Sequence, residues 1–384
     1  MAERIGAHAA RPVPLHDEAA RQEFVVSLRQ YSGRVLGAGN YHVYKARVEP
    51  AFTRAKGRGP QSGMELREAM TADPFYQFWS AIHRNSQEMI WDSVIDTVER
   101  TLPETVAMAA APQPLGSLRL DPALPIPRYN SVYDIHLQPG GYHTDQCEND
   151  IAAGAIYDLG VPIYSLQRMN SNTNANGVTM VHYFQTRYPQ LRPLRILDLG
   201  CTTGNTTLPF ADAYPDAEIY GVDLGAPCLR YAHARANALG KSVHWSQQNA
   251  EALDFPDDHF DIVVSTLLFH ETSRTATLNI FSEIARVLRP GGVTAHFDGF
   301  HARSSEPIIE FLGLWEVDNN NEKFLLTLKK MDVVGINAQN GLANVRFDQT
   351  PYLTGLPQVS AKGKGYMAGG GFGDIDVLVG EKAL

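Results

Sequence analysis

The chain has 384 residues, 44% of them hydrophobic, and a formal net charge of -9. That length fits two domains or one heavily decorated domain, and an acidic balance without a basic stripe argues against a nucleic-acid partner. Cys147, Cys201 and Cys228 show neither metal-ligand spacing nor a C-x-x-C pair. With no signal peptide and no apolar run near the ~20 residues of a membrane span, they point to a reducing cytoplasm and no membrane.

In chain order, Met1 to about Gln22 is polar and Ala/Pro-containing, which predicts a loosely ordered arm or partner strap. Asp73-Pro74-Phe75 reads as a helix cap and first turn, followed by Phe75, Phe78, Trp79 and Ile82. Met89, Ile90, Val94, Ile95, Val98 and Leu102 continue the helical period. Residues 110–127 form a Pro-rich extended connection. Seven of the 16 tyrosines then fall between Tyr129 and Tyr188, around Gly140-Gly141-Tyr142-His143-Thr144-Asp145-Gln146. Asn170–Asn176 is a run of small polar residues that predicts a loop. Residues 1–170 therefore read as a mainly helical cap, and 171–384 as a second, α/β domain.

In that second domain, a strand over 194–199 runs into Gly200-Cys201-Thr202-Thr203-Gly204, and a helix over about 205–213 follows with Asn205 as its cap. A strand over 218–223 ends in Gly221-Val222-Asp223, and Pro227 and Gly240 bracket the next helix. Val243–Trp245, a fully apolar run over 261–266 and residues 293–297 are further strands. A helix over 274–288 carries Leu278, Phe281, Ile284, Ala285 and Leu288 on one face. Arg289-Pro290-Gly291-Gly292 turns the chain, and Ile375, Val377 and Val379 alternate as a last strand.

The glycine turn carries the functional signal. Gly200 and Gly204 let backbone approach a ligand, and Asp223, at the tip of the next strand, can accept hydrogen bonds from two ribose hydroxyls. The spacing is G-x-x-x-G rather than the dinucleotide G-x-G-x-x-G, and no triphosphate loop occurs. Asp198 at the mouth of the turn would repel phosphate but suits an ammonium group. A nucleoside with a cationic amino-acid tail is S-adenosylmethionine.

From about Leu194 to Phe297 the chain resembles the class I S-adenosylmethionine-dependent methyltransferases, and in detail the ubiquinone/menaquinone methyltransferase-like (type 11) group. The resemblance rests on Leu197–Gly204, Gly221-Val222-Asp223, Asn249–Asp257, Phe260–Ser265 and Arg286–Gly292. It implies a Rossmann-like, seven-stranded, mostly parallel sheet. It also implies that Asp198, Gly200, Thr202 and Gly204 face the methionine part of the cofactor. Asp223 would hold the ribose, with Leu224 on the adenine, Asn249, Ala250 and Glu251 beside its edge, and Thr266 and Leu267 as the floor. The family usually has glycine where Thr202 stands. A β-branched residue there resists φ > 0, so the expectation is a reshaped loop or a hydroxyl turned to the cofactor carboxylate.

His270 and Glu271, just past the fourth strand, are the general-base candidates, with His143 second. Tyr142 can meet the sulfonium face-on. His136, His143 and Asp145 match no metal-ligand arrangement, and no metal is expected. The reading is methyl transfer to a small-molecule metabolite, with oxygen, nitrogen, carbon and sulfur acceptors all open. The alternative is a relative that binds S-adenosylmethionine without transferring methyl. A homodimer is left open.

Overall fold

The computed structural model describes residues 8–166, 174–301, 306–353 and 373–384. One sheet organises it, from β1 (Ser117–Arg119), β2 (Arg195–Leu199), β3 (Glu218–Asp223), β4 (His244–Gln247), β5 (Phe260–Thr266), β6 (Leu288–Phe297), β7 (Leu342–Pro351) and β8 (Asp374–Lys382). Their spatial order is β1-β4-β3-β2-β5-β6-β8-β7. Strands β1 to β6 pair in parallel, and β8 runs antiparallel to both β6 and β7. Seven strands were expected; β2 to β8 are those seven, and the eighth is β1, contributed by the Pro-rich connection. A strand of three residues has too few positions to show alternation. Gly116 marks it instead, because a Cβ there would lie 2.0 Å from the Val243 carbonyl oxygen.

Side-chain alternation sorts the sheet into two cores. Ile196, Ile262 and Val264 face helices Ala175–Arg187, Thr207–Ala213 and Ala226–Ala238. Leu197, Leu199 and Val263 face helices Arg274–Val287 and Val333–Gln339. Burial on both faces explains why β5 reads as an unbroken apolar run. The Pro-Gly-Gly turn expected before 293 is absorbed into β6 as an irregularity, with a register shift against β5 and Gly291 at φ 73°.

The first half is helical, as expected. Asp73 caps the Phe75 N–H, and the two apolar periods read in the sequence are one helix, Pro74–Ala110, of 37 residues. It packs with helices His16–Tyr31 and Ala152–Tyr164 through Val25, Trp91, Val94 and Leu159, against Tyr231 of the sheet domain. Helix Pro307–Asn319, which follows β6 in sequence, joins the same layer: Phe311, Leu312 and Trp315 pack on Leu66, Met70 and Trp79.

Three local expectations are corrected. The N-terminal arm is packed from residue 8 on, with Ala10 fully buried and Arg11 bonded to the Asp158 carbonyl; Met1–Ala7 lie outside the described residues. Of the polar run Asn170–Asn176, residues 170–173 lie outside them too, while Asn174 is the N-cap position of a helix that starts at Ala175. The helix after the glycine turn starts at Thr207 rather than 205. Asn205 does not cap it because its side-chain oxygen accepts from Arg235.

Candidate active site

The carboxyl ends of β2, β3 and β5 converge, which is where open α/β sheets place ligands. At the end of β2, Asp198 is buried, and its carboxylate accepts from the Thr207 hydroxyl at 2.6 Å. Burial, opposed by that bond and reinforced by Asp223, pushes its pKa up to about 7. Gly200 and Gly204 take φ 69° and 82°. A Cβ on Gly204 would come within 2.7 Å of the Trp245 ring.

For Thr202 the structure answers the question of loop shape. It takes the left-handed conformation itself, with φ 46°, so the turn keeps its shape. Its N–H donates to Asp223 at 2.9 Å, while its hydroxyl points back to the Gly200 carbonyl at 3.3 Å. The Asp223 bond offsets the ~1–2 kcal/mol that a left-handed L-residue costs.

Asp223 also accepts from the Gly225 N–H at 2.8 Å. Burial raises its pKa against those backbone bonds. Each oxygen takes one backbone donor and keeps a lone pair for a ligand hydroxyl. Tyr142 of the cap lies directly on this turn: a Cβ on Gly225 would sit 2.3 Å from the Tyr142 carbonyl oxygen, which also accepts from the Cys228 thiol. Leu224 is fixed through its carbonyl by Gln247 at 2.9 Å. Asn249 closes an Asx turn on the Glu251 N–H, and Ala250 packs on the second core. Both oxygens of Glu251 are engaged, one by the Tyr129 hydroxyl at 2.9 Å and one by Asn279 at 2.9 Å. This carboxylate therefore ties the cap to the sheet. Thr266 shares a 2.5 Å hydrogen bond with Thr206, and Leu267 turns the chain at φ 58° with 43% of its surface exposed.

The glycine turn is braced from behind. Arg235, fully buried on helix Ala226–Ala238, donates to the Thr203 carbonyl and to Asn205 and Asn174, and lies 3.9 Å from Asp158. Asp158 also bonds the Tyr231 hydroxyl and pairs with His8 and Arg11. Burial opposes its charge, but Arg235, Arg11 and His8 hold it well below the usual carboxylate range.

Past β5, His270 and Glu271 stand together as expected. His270 Nδ1 lies 2.7 Å from an Asp298 oxygen, and the other Asp298 oxygen takes the Phe269 N–H at 2.6 Å. Burial disfavours the imidazolium, yet Asp298, Glu322 and Glu271 outweigh it and push the His270 pKa up to about 10. The histidine brought against this pair is His136, with Nε2 3.3 Å from Glu271 Oε1. His143 instead lies beside Gly141, its Nδ1 buried without a hydrogen-bond partner and its pKa lowered by burial. Asp145 pairs with Arg230 at 2.7 Å. Asp298 was not singled out in the sequence, although it follows β6 as Asp223 ends β3. That placement, a carboxylate at a carboxyl-terminal strand end, was its available signal.

Residues 196–292 match the family described as "Methyltransferase domain". This segment is similar to a methyltransferase domain. The chain is 39% identical over 100 residues to demethylmenaquinone methyltransferase of Thermus thermophilus, covering 26% of this chain and 44% of that protein. An uncharacterized protein of Mycobacterium tuberculosis is 30% identical over 172 residues, 40% of this chain and 59% of that one. The chain thus spans about half the length of the curated relatives it matches. Among solved structures, Haemonchus contortus phosphoethanolamine N-methyltransferase 2, in complex with phosphomonomethylethanolamine and S-adenosylhomocysteine, is 19% identical at a TM-score of 0.40. It covers 53% of this chain and 52% of that one. The methyltransferase domain carries the glycine turn, Asp223, His270 and Glu271; Tyr142, His136 and Asp298 lie outside the matched segment. Among the described residues no helix is long and apolar enough to cross a membrane.

Proposed function

We propose that the chain transfers a methyl group from S-adenosylmethionine to a small-molecule acceptor held between the cap and the carboxyl ends of the strands. The observation that carries this is the pair of carboxylates on adjacent strands, buried Asp198 and partly buried Asp223, flanking a turn with three left-handed residues. The donor set fits the cofactor. Among the described residues Asp198 holds one hydroxyl and no cation, so a ligand ammonium would relieve a desolvated carboxylate, and Asp223 keeps lone pairs for ribose hydroxyls. When bound, the cofactor supplies an electrophilic methyl on a sulfonium.

The chain's own residues then supply proximity, alignment and exclusion of water. Tyr142 covers the Asp223 turn, and the Tyr129–Glu251 bond draws the cap down on the adenine side. Glu271, at the acceptor end beside His136 and His270, is the group placed to take a proton from an acceptor. The enclosing cap and the formal charge of -9 favour a small metabolite over a nucleic acid. The three cysteines are free, which fits a reducing, cytoplasmic setting.

Calorimetric titration with S-adenosylmethionine and S-adenosylhomocysteine tests the reading. Both are expected to bind, and Asp223→Ala is expected to weaken binding by ~1–3 kcal/mol through the lost ribose hydrogen bonds. Absence of binding by either compound in the folded wild-type chain sinks the proposal.

A further inference from the structure

His136, Glu271 and His270 come from two distant parts of the chain. Each offers one ligand atom, and the three atoms lie within 4.8 Å of one another. A single point can therefore lie within about 2.8 Å of all three, so rotamer shifts of under ~1 Å would reach the ~2.0–2.2 Å of a metal bond. From this geometry we infer that the acceptor end of the cleft is a binding site for one divalent transition-metal ion, ligated by His136, His270 and Glu271.

The surroundings favour a built site over a chance cluster. His270 is oriented by Asp298, whose side chain is fully buried and lies 2.7 Å from Nδ1. That leaves Nε2 facing Glu271, 3.9 Å from Oε1. A carboxylate behind a ligating imidazole is the usual outer-shell device for fixing its tautomer. His136 is held in the left-handed region, φ 52°. Its carbonyl is gripped by the Trp91 indole N–H at 2.7 Å and by Gln87 at 3.0 Å. Its Nδ1 faces Glu322 at 3.4 Å and Asn320 at 3.0 Å, leaving Nε2 toward Glu271. Non-glycine residues persist in this strained conformation only where the surroundings over-determine them, and such residues concentrate at functional sites.

Charge points the same way. Glu271, Asp298, Glu322 and Glu316 are buried or largely buried within one connected cluster. The Arg29 guanidinium acts on it beside Glu316. Buried carboxylates require compensating charge, and a dication that displaces the imidazole protons would keep that charge in the cluster. Two imidazoles and one carboxylate favour a transition ion over magnesium or calcium, which take oxygen ligands. Three protein ligands leave positions open. On the methyl-transfer reading, these would receive an oxygen of the acceptor and lower the pKa of its hydroxyl, with Glu271 then acting as a ligand in place of a general base.

The test uses the full chain, stripped with a chelator and titrated with Co²⁺ as an optical probe, with bound metal counted by elemental analysis. One ion per chain is expected, bound at least 100-fold more weakly by His136→Gln and by Glu271→Gln, with circular dichroism unchanged. Asp298→Asn should weaken binding ~10–100-fold. Failure of the folded wild type to retain cobalt, or equal binding by wild type and both ligand variants, overturns the inference. S-adenosylmethionine titration of the same samples separates it from the proposed function. Cofactor binding without cobalt overturns the metal site alone, whereas cobalt binding without cofactor upholds the metal site and sinks the methyl-transfer reading.

Discussion

On the methyl-transfer reading, the two ends of the site are built by opposite strategies. The proposed methyl-donor end is local in sequence: Asp198, Thr202 and Asp223 fall within 26 residues, on two neighbouring strands and the turn after the first, and backbone N–H groups do most of the positioning. The acceptor end is assembled from afar. His136 comes from the cap, His270 from the loop after β5, Asp298 from the end of β6, and Glu322 from beyond helix Pro307–Asn319. A nucleoside cofactor is invariant, so one loop geometry suffices for it; an acceptor site must be shaped by whatever the fold brings into reach. The comparison teaches that the donor end is held by its bracing and the acceptor end by its charges.

The largest expected effect comes from removing that bracing. Arg235 holds the Thr203 carbonyl, Asn205 and Asn174 on one side and compensates Asp158 on the other. Arg235→Ala leaves a buried carboxylate short of a cation, which costs ~3–5 kcal/mol. A thermal melt should therefore drop by many degrees, and cofactor affinity should fall with it, although Arg235 touches no ligand. A melt within a degree of wild type would show that the donor turn stands without its brace.

This dependence also marks what the sequence could disclose. The glycine turn, Asp223 and β5 were readable because local spacing sets them: a strand must end, a turn must pass φ > 0, and a carboxylate must follow. The cap's long helix Pro74–Ala110 was readable from apolar period. Arg235 and Asp158 were not, since a buried ion pair 77 residues apart leaves no periodic trace. His136 could be seen as a residue but not as a partner of His270, because only the tertiary packing of Trp91 and Gln87 on its carbonyl turns it there. Glu322 gave no signal at all. Thr202 reads in the sequence as a tolerated variant that reshapes the loop or turns its hydroxyl to the cofactor; the structure keeps it in the turn at φ 46° and gives its N–H to Asp223.

A second way to sharpen the contrast is pH. Asp198 has its pKa pushed up to about 7, above its ordinary carboxylate value. The folded chain without ligand thus holds a proton there that the unfolded chain loses near pH 4. For this group, stability is fully present below about pH 4 and is lost as pH rises through about 7. A ligand ammonium reverses the preference, because it needs the ionised form. Affinity for S-adenosylmethionine should therefore fall about tenfold for each pH unit below 7, ~100-fold at pH 5, and Asp198→Asn should flatten the profile. A pH-independent affinity in wild type would remove Asp198 from the amino-acid end of the cofactor.

The smallest effect tests the most local feature. Thr202 sits at φ 46°, where an L-residue pays ~1–2 kcal/mol relative to glycine. Replacing it by glycine removes that strain and only a long 3.3 Å hydroxyl bond to the Gly200 carbonyl, while the backbone N–H that donates to Asp223 remains. Against this, glycine loses more conformational entropy on folding, ~0.5–1 kcal/mol. The balance for Thr202→Gly is a gain of roughly 0.5 kcal/mol in stability with cofactor affinity unchanged, read by denaturant unfolding and calorimetry side by side. Were affinity instead to fall several-fold while stability rose, the hydroxyl would have a ligand to serve. The Gly200 contact would then be its resting position rather than its purpose.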